Sequence, residues 1–112
     1  MVSRDAQILE KVLREIKFLK SETDKIDFDT FSSDERLRRS VAMTLINIGE
    51  LANKFTKDFR VANAHIPIQD IIGLRNHAAH GYHSLKFRDI WNTIKHEIPI
   101  LETDIKKILT GI

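Results

Sequence analysis

Apolar residues recur at steps of three and four residues between positions 5 and 21 of the chain. This spacing places them on one face of a helix, which has 3.6 residues per turn. The stripe consists of Ile8, Leu9, Val12, Leu13, Ile16 and Leu19. We therefore predict a first amphipathic helix here, followed over 22–33 by a loop or short turn whose Phe28 and Phe31 pack onto the core.

A second apolar stripe predicts a long helix from about residue 33 to about residue 57. The stripe consists of Val41, Leu45, Ile48, Ala52 and Phe55. Ser32 and Glu35 have the spacing of a capping box, in which a hydroxyl and a carboxylate satisfy exposed amide groups at a helix start. Gly49 lies beside the stripe. Because a glycine inside a helix costs about 1 kcal/mol relative to alanine, we expect tight packing against another helix there, within or between subunits.

The third predicted helix follows a connector over 58–66. Pro67 suits its first turn, where the missing amide hydrogen of proline costs nothing. We place the end of this helix at His80–Gly81, because glycine is the favoured residue just past a helix end. A turn over 81–86 then leads into the last helix.

The last predicted helix has an apolar face and a proline in its middle. The face consists of Phe87, Ile90, Trp91, Ile94, Ile98, Leu101, Ile105 and Ile108. Because Pro99 lacks an amide donor and its ring clashes with the carbonyl four residues back, we expect a kink over 95–99. No useful stretch alternates with a period of two, so we predict an all-α fold, an antiparallel four-helix bundle with its last helix kinked at a proline.

The composition fits one soluble domain over residues 1–112. Charged residues make up 30% and hydrophobic residues 42% of the chain, which is far from the composition of a disordered tail. The longest apolar run, 41–49, is shorter than the roughly 20 residues that cross a bilayer, and the first residues lack the apolar core of a secretory signal. The chain has no cysteine, which excludes disulfides and thiolate metal sites. We expect no membrane association and a cytoplasmic location.

Charge alone does not identify a nucleic-acid binder. The net charge is only +2 and the isoelectric point is near 9.0, so a phosphate-binding surface would need local clusters of cations. Two clusters are present: Arg36, Arg38 and Arg39, and Lys54, Lys57 and Arg60. Each cluster taken alone fits a solvated helix face better than a binding site.

Ionisable and hydrogen-bonding residues concentrate over 73–83, where the third predicted helix ends. Asn76 and His80 are four residues apart and share a helix face, so the amide can hold one ring nitrogen and fix the tautomer of the imidazole. Arg75 lies five residues before His80, about 140° away around an ideal helix. Its long side chain, or a second subunit, must close that gap.

An arginine beside a histidine suits the cleavage of a phosphodiester. The guanidinium binds two phosphate oxygens, and histidine is the side chain that changes charge near neutral pH. RNA supplies its own nucleophile, the 2′-hydroxyl, so the reaction needs a base and a cation but no metal. Tyr82 could donate a hydrogen bond or stack on a base. From spacing alone, a structural alternative is favoured, in which Arg75 forms a surface ion pair and His80 satisfies a helix end.

A metal site is a second chemical interpretation. His77, His80 and His83 are spaced three apart, and His65 and His96 could approach them. If the helix ends as predicted, however, His83 leaves the common face, and no carboxylate or thiolate nearby completes a ligand set. We therefore predict no metal and no cofactor.

Glu50 is an acidic residue in an otherwise apolar stretch of the second helix. It could pair with Arg75 or with Arg39 across the bundle. Simple exposure at the edge of the apolar stripe is an equally good interpretation.

The spacing Arg75, four residues, His80, any residue, Tyr82 is the signature of a known family. The family-like segments around it are Ile71–Asn76, Ile90–Trp91, Arg38–Val41 and Ile48–Ala52. With the predicted helical bundle, the chain resembles over most of its length the HepT-like branch of the HEPN domains, which are ribonuclease toxins of bacterial and archaeal toxin–antitoxin pairs.

The resemblance implies a metal-independent endoribonuclease in which Arg75 and His80 are the catalytic pair, Asn76 lies in the site and Tyr82 lies beside it. It also implies a homodimer whose two motifs face one another across a shared cleft. The implied partner is a small nucleotidyltransferase antitoxin, which inactivates the toxin by transferring AMP to Tyr82 and can assemble further with the dimer. The alternative is a non-catalytic helical module that binds a nucleotide or docks a nucleotidyltransferase.

Overall fold

The structure, a computed structural model, describes the backbone of residues 3–84 and 86–111, and the side chains of these residues except 77 and 79–84. The described residues form helices and no strand, which confirms the predicted all-α class. The helices are α1 (Arg4–Thr23), α2 (Phe28–Ser33), α3 (Glu35–Ala52), α4 (Lys57–Ala62), α5 (Ile68–Ser84), α6 (Phe87–Asn92) and α7 (Ile98–Thr110), with a π-helical segment, Thr93–Glu97, between α6 and α7.

The first helix forms as its apolar stripe predicts. Ser3 caps α1, because its hydroxyl accepts a hydrogen bond from the amide of Ala6. Ile16 and Leu19 of the stripe are fully buried. At the far end of the helix, Lys20 donates to Glu102 of α7 over 3.0 Å, so an ion pair joins the first and last helices.

The segment after α1 contains the short helix α2 and not only a loop. Asp27 caps α2 by accepting from the amide of Thr30. Phe31 is buried, and its ring stacks on Trp91 with 5.3 Å between the centroids. Phe28 is half-buried against the same indole. The prediction that both aromatic residues pack onto the core is confirmed.

The predicted start of the second long helix is wrong, because a different residue caps it. Ser32 belongs to α2, and α3 starts after Asp34, whose extended backbone separates the two helices. The carboxylate of Asp34 accepts a hydrogen bond from the amide of Leu37. Asp34 therefore caps this helix, the role that we expected of the Ser32–Glu35 capping box.

The predicted end of this helix, at residue 57, is also wrong. The last residue of α3 is Ala52, and a separate helix, α4, begins five residues later at Lys57 and extends into the predicted connector over 58–66. Thr56 caps α4, and the carboxylate of Asp5 accepts from both its amide and its hydroxyl, at 2.9 and 2.6 Å. A contact between α1 and the residue that caps α4 therefore fixes where α4 begins.

The third long helix, α5, starts at Ile68 directly after Pro67 and continues past the glycine at which we expected it to end. Its backbone remains helical to Ser84. Glycine is permitted in a helix at a cost of about 1 kcal/mol, so Gly81 alone does not terminate one. Consequently, Arg75, His80 and Tyr82 belong to one continuous helix.

The last helical run is interrupted by the π-helical segment immediately before Pro99. The amide of Ile98 donates to the carbonyl of Thr93, five residues back, which is the π-helical pattern. Pro99 then lies in the first turn of α7, where its missing amide hydrogen is not needed. The kink itself stays a prediction.

α3 lies between α1 and α5 and packs most extensively against α5. The expected tight packing at Gly49 occurs here, within one subunit: a Cβ at this position would lie 3.0 Å from the carbonyl oxygen of Ile72 and 3.1 Å from the amide nitrogen of Arg75. The close approach therefore requires glycine and sets the two helices side by side at Arg75. Among the described helices, none has both the length and the apolar character needed to cross a membrane.

Candidate functional site

An ion pair between α3 and α5 forms the described part of the candidate site. Nη1 of Arg75 donates to Oε1 of Glu50 over 2.8 Å. Of the partners considered for Glu50 from the sequence, the structure selects Arg75. The pairing follows from the packing, because Gly49 brings α3 against the backbone of Arg75 and the next residue of α3 is Glu50.

The pair lies at the surface. The side chains of Arg75 and Glu50 are 36% and 51% exposed, so water screens the pair and its contribution to stability is small. Arginine has five N–H donors, and Arg75 makes no hydrogen bond to a described residue other than Glu50. Its remaining donors can therefore bind two oxygens of a phosphate while the carboxylate keeps the guanidinium oriented.

The other predicted site residues follow on the same helix. Asn76 is exposed and makes no hydrogen bond to a described residue. His80 and Tyr82 lie five and seven residues after Arg75, or about 7 and 10 Å along the helix axis. Their side chains are outside the described part of the chain, so the Asn76–His80 hydrogen bond and the roles of His80 and Tyr82 stay predictions.

The metal interpretation also falls mostly on side chains outside the described part, those of His77, His80 and His83. The argument that His83 leaves the common face no longer holds, because α5 continues to Ser84. His65 and His96 are exposed in other segments. Within the described part of the chain, no group of three histidine, aspartate or glutamate residues is placed to hold a metal ion.

The two basic clusters contain cations with structural contacts. The guanidinium of Arg38 donates to the carbonyl of Ser32 and lies 4.6 Å from the ring centroid of Phe87, so it joins the start of α3 to α6. Arg60 donates to the carbonyls of Phe55 and Asn53, which follow the end of α3. Arg38 and Arg60 thus fit the structural interpretation of their clusters.

A groove beside the ion pair was not predicted from the sequence. It has a volume of about 380 Å³ and lies between α1 and α3, with Glu50 in its wall. The remaining lining residues are Lys11, Arg14, Glu15, Asn47, Leu51 and Lys54. Helical spacing shows that Asn47 and Glu50 share a face of α3, and Lys54 lies in the turn just after that helix. Which face of α1 lies beside them depends on tertiary packing.

The helices and the surface ion pair define an all-helical domain with an exposed arginine–carboxylate site. A family model described as "Ribonuclease HepT-like" matches residues 12–108. This range includes Glu50, Arg75, His80 and Tyr82. The chain therefore belongs to the HepT-like ribonuclease family, which confirms the resemblance seen in the sequence and supports a ribonuclease function.

Relatives from bacteria and archaea are similar to the chain over most of their lengths. "Putative RNase TTE0752" of Caldanaerobacter subterraneus subsp. tengcongensis is 38% identical, over 90% of this chain and 90% of the relative. "Putative RNase MJ0125" of Methanocaldococcus jannaschii is 31% identical, over 78% and 75%. "Probable ribonuclease HepT" of Thermococcus cleftensis is 28% identical, over 89% and 91%. No solved structure matches the chain.

Proposed function

We propose that the protein is a metal-independent endoribonuclease in which Arg75 and His80 carry out the cleavage. The observation that supports this most is the exposed guanidinium of Arg75, which Glu50 holds and which donates to no other described residue, on the helix that also contains His80. The proposal is also supported by similar proteins that are named as ribonucleases.

In the proposed reaction, RNA supplies the nucleophile. A histidine takes the proton from the 2′-hydroxyl, the 2′-oxygen forms a bond to phosphorus, and the bond from phosphorus to the 5′-oxygen breaks. The leaving 5′-oxygen takes a proton from an acid, which leaves a 2′,3′-cyclic phosphate and a 5′-hydroxyl. Arg75 binds the two non-bridging oxygens, whose negative charge grows in the transition state, and this lowers the barrier.

The active form in this proposal is a homodimer. On an ideal helix, positions 75 and 80 are about 140° apart around the axis, so within one subunit they belong to different helix faces. Two copies facing each other across a shared cleft bring the arginine of one subunit near the histidine of its partner. One histidine can then act as base and the other as acid.

The biological role in this proposal is that of a toxin in a type II toxin–antitoxin pair in the cytoplasm. The antitoxin is a nucleotidyltransferase that transfers AMP to Tyr82. The tyrosine oxygen attacks the α-phosphorus of ATP, and pyrophosphate leaves. The added phosphate places negative charge and bulk beside the cleavage site, which repels RNA and blocks its path.

Incubation of purified protein with single-stranded RNA in EDTA tests the enzymatic proposal. We expect cleavage by the wild type, loss of cleavage with His80→Ala, and normal cleavage with the control His96→Ala, which removes an exposed histidine of the π-helical segment. Cleavage that disappears in EDTA and returns with a divalent cation would refute metal independence. Intact RNA with the wild type, together with tight binding of a nucleotidyltransferase, would favour the non-catalytic module instead.

Induction in a bacterial host tests the toxin role. The wild type should stop growth, and His80→Ala should not. Co-expression of the nucleotidyltransferase should restore growth and add the mass of one or more AMP groups to the peptide containing Tyr82. Equal toxicity of the wild type and His80→Ala would contradict the proposal. It would also be contradicted if the nucleotidyltransferase neutralised the Tyr82→Phe variant as well as it neutralises the wild type, without adding AMP.

A further inference from the structure

The groove between α1 and α3 is continuous with the candidate site. Its wall includes Glu50, whose carboxylate also holds Arg75. Lys11 and Arg14 line it from α1, and Lys54 lines it from the turn that follows α3. Arg75 is therefore separated from this groove by a single shared side chain, that of Glu50, so a chain-like ligand held at Arg75 can extend into it.

Among the described residues, the cations of the groove have no acidic partner, whereas its carboxylates accept hydrogen bonds. Oε1 of Glu15 accepts from Nδ2 of Asn47 over 2.8 Å, and Glu50 accepts from Arg75. Lys11, Arg14 and Lys54 are exposed and form no ion pair within the described part of the chain. Together with Arg75, four cations face two carboxylates along this surface. This surplus favours an anionic ligand.

A second groove of the protein has the opposite character. It lies between α5 and α7, has a volume of about 300 Å³ and has no basic residue among the described residues that line it. Its charged residues are Asp70, Glu97 and Asp104, around an apolar floor that includes Leu74 and Leu101. A nucleic acid would be repelled there. Of the two grooves, only the one between α1 and α3 suits a polyanion.

We infer that the groove between α1 and α3 binds the RNA backbone beside the cleavage site, with Lys11, Arg14 and Lys54 as phosphate ligands. This inference rests on the proposed ribonuclease function, because it extends that site along its substrate. The groove tracks phosphates without reading bases, since its charged ligands are lysine and arginine and it offers no aromatic side chain for stacking.

Salt dependence measures such contacts directly. Each phosphate neutralised by a lysine or arginine releases counterions, and for single strands this contributes about 0.7 to the slope of log K against log salt concentration. Three contacts should therefore contribute a slope of about 2. RNA that is too short to extend beyond the cleavage site should lose less binding affinity when the groove cations are removed.

The test compares two triple variants of the full chain. Lys11→Gln/Arg14→Gln/Lys54→Gln removes the groove cations, and Arg4→Gln/Lys25→Gln/Lys107→Gln removes the same charge from exposed positions outside the groove. Fluorescence anisotropy measures binding of a 2′-O-methyl RNA 12-mer, which cannot be cleaved, over a series of salt concentrations. Cleavage of an unmodified 12-mer is compared with cleavage of a dinucleotide.

The groove variant should lose about 2 from the salt slope, and the control variant should keep the wild-type value. The groove variant should also lose about ten times more kcat/KM on the 12-mer than on the dinucleotide, mainly through KM. Equal slopes for the two variants would overturn the inference. It would equally fail if the groove variant bound RNA normally but no longer bound the nucleotidyltransferase, because the groove would then be a protein-docking surface.

The proposed function and the inference fail in distinguishable ways. If the wild type cleaves the dinucleotide and the 12-mer but the groove variant behaves as the control, only the groove assignment is wrong. If the wild type cleaves neither substrate, the ribonuclease proposal is wrong, and the anisotropy slopes still decide whether the groove binds RNA. Circular dichroism and a single variant, Lys54→Gln, with an expected slope change of about 0.7, exclude misfolding as the cause.

Discussion

Two ion pairs of nearly equal length join helices of this bundle, and they differ in their surroundings. Arg75 and Glu50 meet over 2.8 Å between α5 and α3 with both side chains substantially exposed. Lys20 and Glu102 meet over 3.0 Å between α1 and α7, where the Glu102 side chain is only 16% exposed. Length alone therefore does not separate a pair available for chemistry from a pair that holds helices together.

The Lys20–Glu102 pair shifts the pKa values of both of its members. Burial acts to raise the pKa of Glu102, but the hydrogen bond and positive charge of Lys20, with a smaller effect of Lys106, outweigh burial and lower it. The hydrogen bond and negative charge of Glu102 raise the pKa of Lys20. Both shifts favour the charged forms in the folded protein, as expected of a pair that supports the fold. The Arg75–Glu50 pair, by contrast, is substantially exposed to solvent.

Arg75→Ala should give the largest effect of these variants, and the effect should fall on RNA cleavage and not on stability. Loss of a donor that stabilises charge in the transition state costs about 10²–10³ in kcat. The free energy of unfolding should change by less than about 1 kcal/mol, because the pair is screened by water. RNA cleavage assays and urea denaturation measure the two effects. Unchanged cleavage with a folded protein would remove Arg75 from the site.

Gly49→Ala tests whether close packing of α3 on α5 positions the exposed pair. A new Cβ 3.0 Å from the carbonyl of Ile72 must push the helices apart, so we expect a stability loss of about 1–2 kcal/mol and reduced cleavage. Gly73→Ala is the matched control, since a Cβ there meets nothing within 4 Å and alanine favours the helix by up to about 1 kcal/mol. Equal urea midpoints for the two variants would contradict the packing argument.

Glu50→Ala tests the carboxylate as a positioning residue. Without it, the guanidinium of Arg75 samples more orientations, and we expect kcat to fall about tenfold. KM should not rise, because removal of a negative charge does not weaken phosphate binding. Glu50→Gln keeps a hydrogen-bond acceptor for Arg75 and should recover part of kcat. A rise in KM with unchanged kcat would show instead that Glu50 acts in binding.

Glu102→Gln should give the smallest effect, and only within a defined pH range. The folded pKa of Glu102 is below the ordinary value of 4.5, so its contribution is present above that pH and is lost as the pH falls through the folded pKa. The raised pKa of Lys20 sets the alkaline limit, because its contribution is present below the ordinary value of 10.5 and is lost as the pH rises through the folded pKa.

Near pH 7, the Glu102→Gln variant should be less stable than the wild type by about 0.2–1 kcal/mol, and the two should converge in acid. Thermal melts from acid to neutral pH measure this, with exposed Glu97→Gln as the control. RNA cleavage near pH 7 should stay normal. A stability difference that persists in acid would mean that the variant perturbs packing and not an ion pair.

The long helices were predictable because each carries an apolar stripe that the core buries, as Ile16, Leu45 and Ile105 illustrate. Their ends were less predictable. The start of α4 involves the contact of Asp5 in α1 with Thr56, and local spacing contains no sign of that contact. At Gly81 the local preference for a helix end was present, but the backbone of α5 continues.

The sequence suggests the residues of the candidate site but not their geometry. The motif singles out Arg75 and His80 as candidates, and the acidic residue in an apolar stretch draws attention to Glu50. The choice of Arg75 over Arg39 as its partner requires the register of α3 against α5, which the contact at Gly49 sets. The basic groove was missed for the same reason, because Lys11 and Lys54 are distant in sequence and meet only through packing.

The ends of the cleaved RNA test the central claim most directly. Labelled single-stranded RNA is incubated in EDTA with the wild type, Arg75→Ala or His80→Ala, and the new termini are identified by mass spectrometry. We predict 2′,3′-cyclic phosphate and 5′-hydroxyl ends with the wild type and neither end with the two variants. A 5′-phosphate end, or the same products in the same yield with His80→Ala, would contradict cleavage by Arg75 and His80.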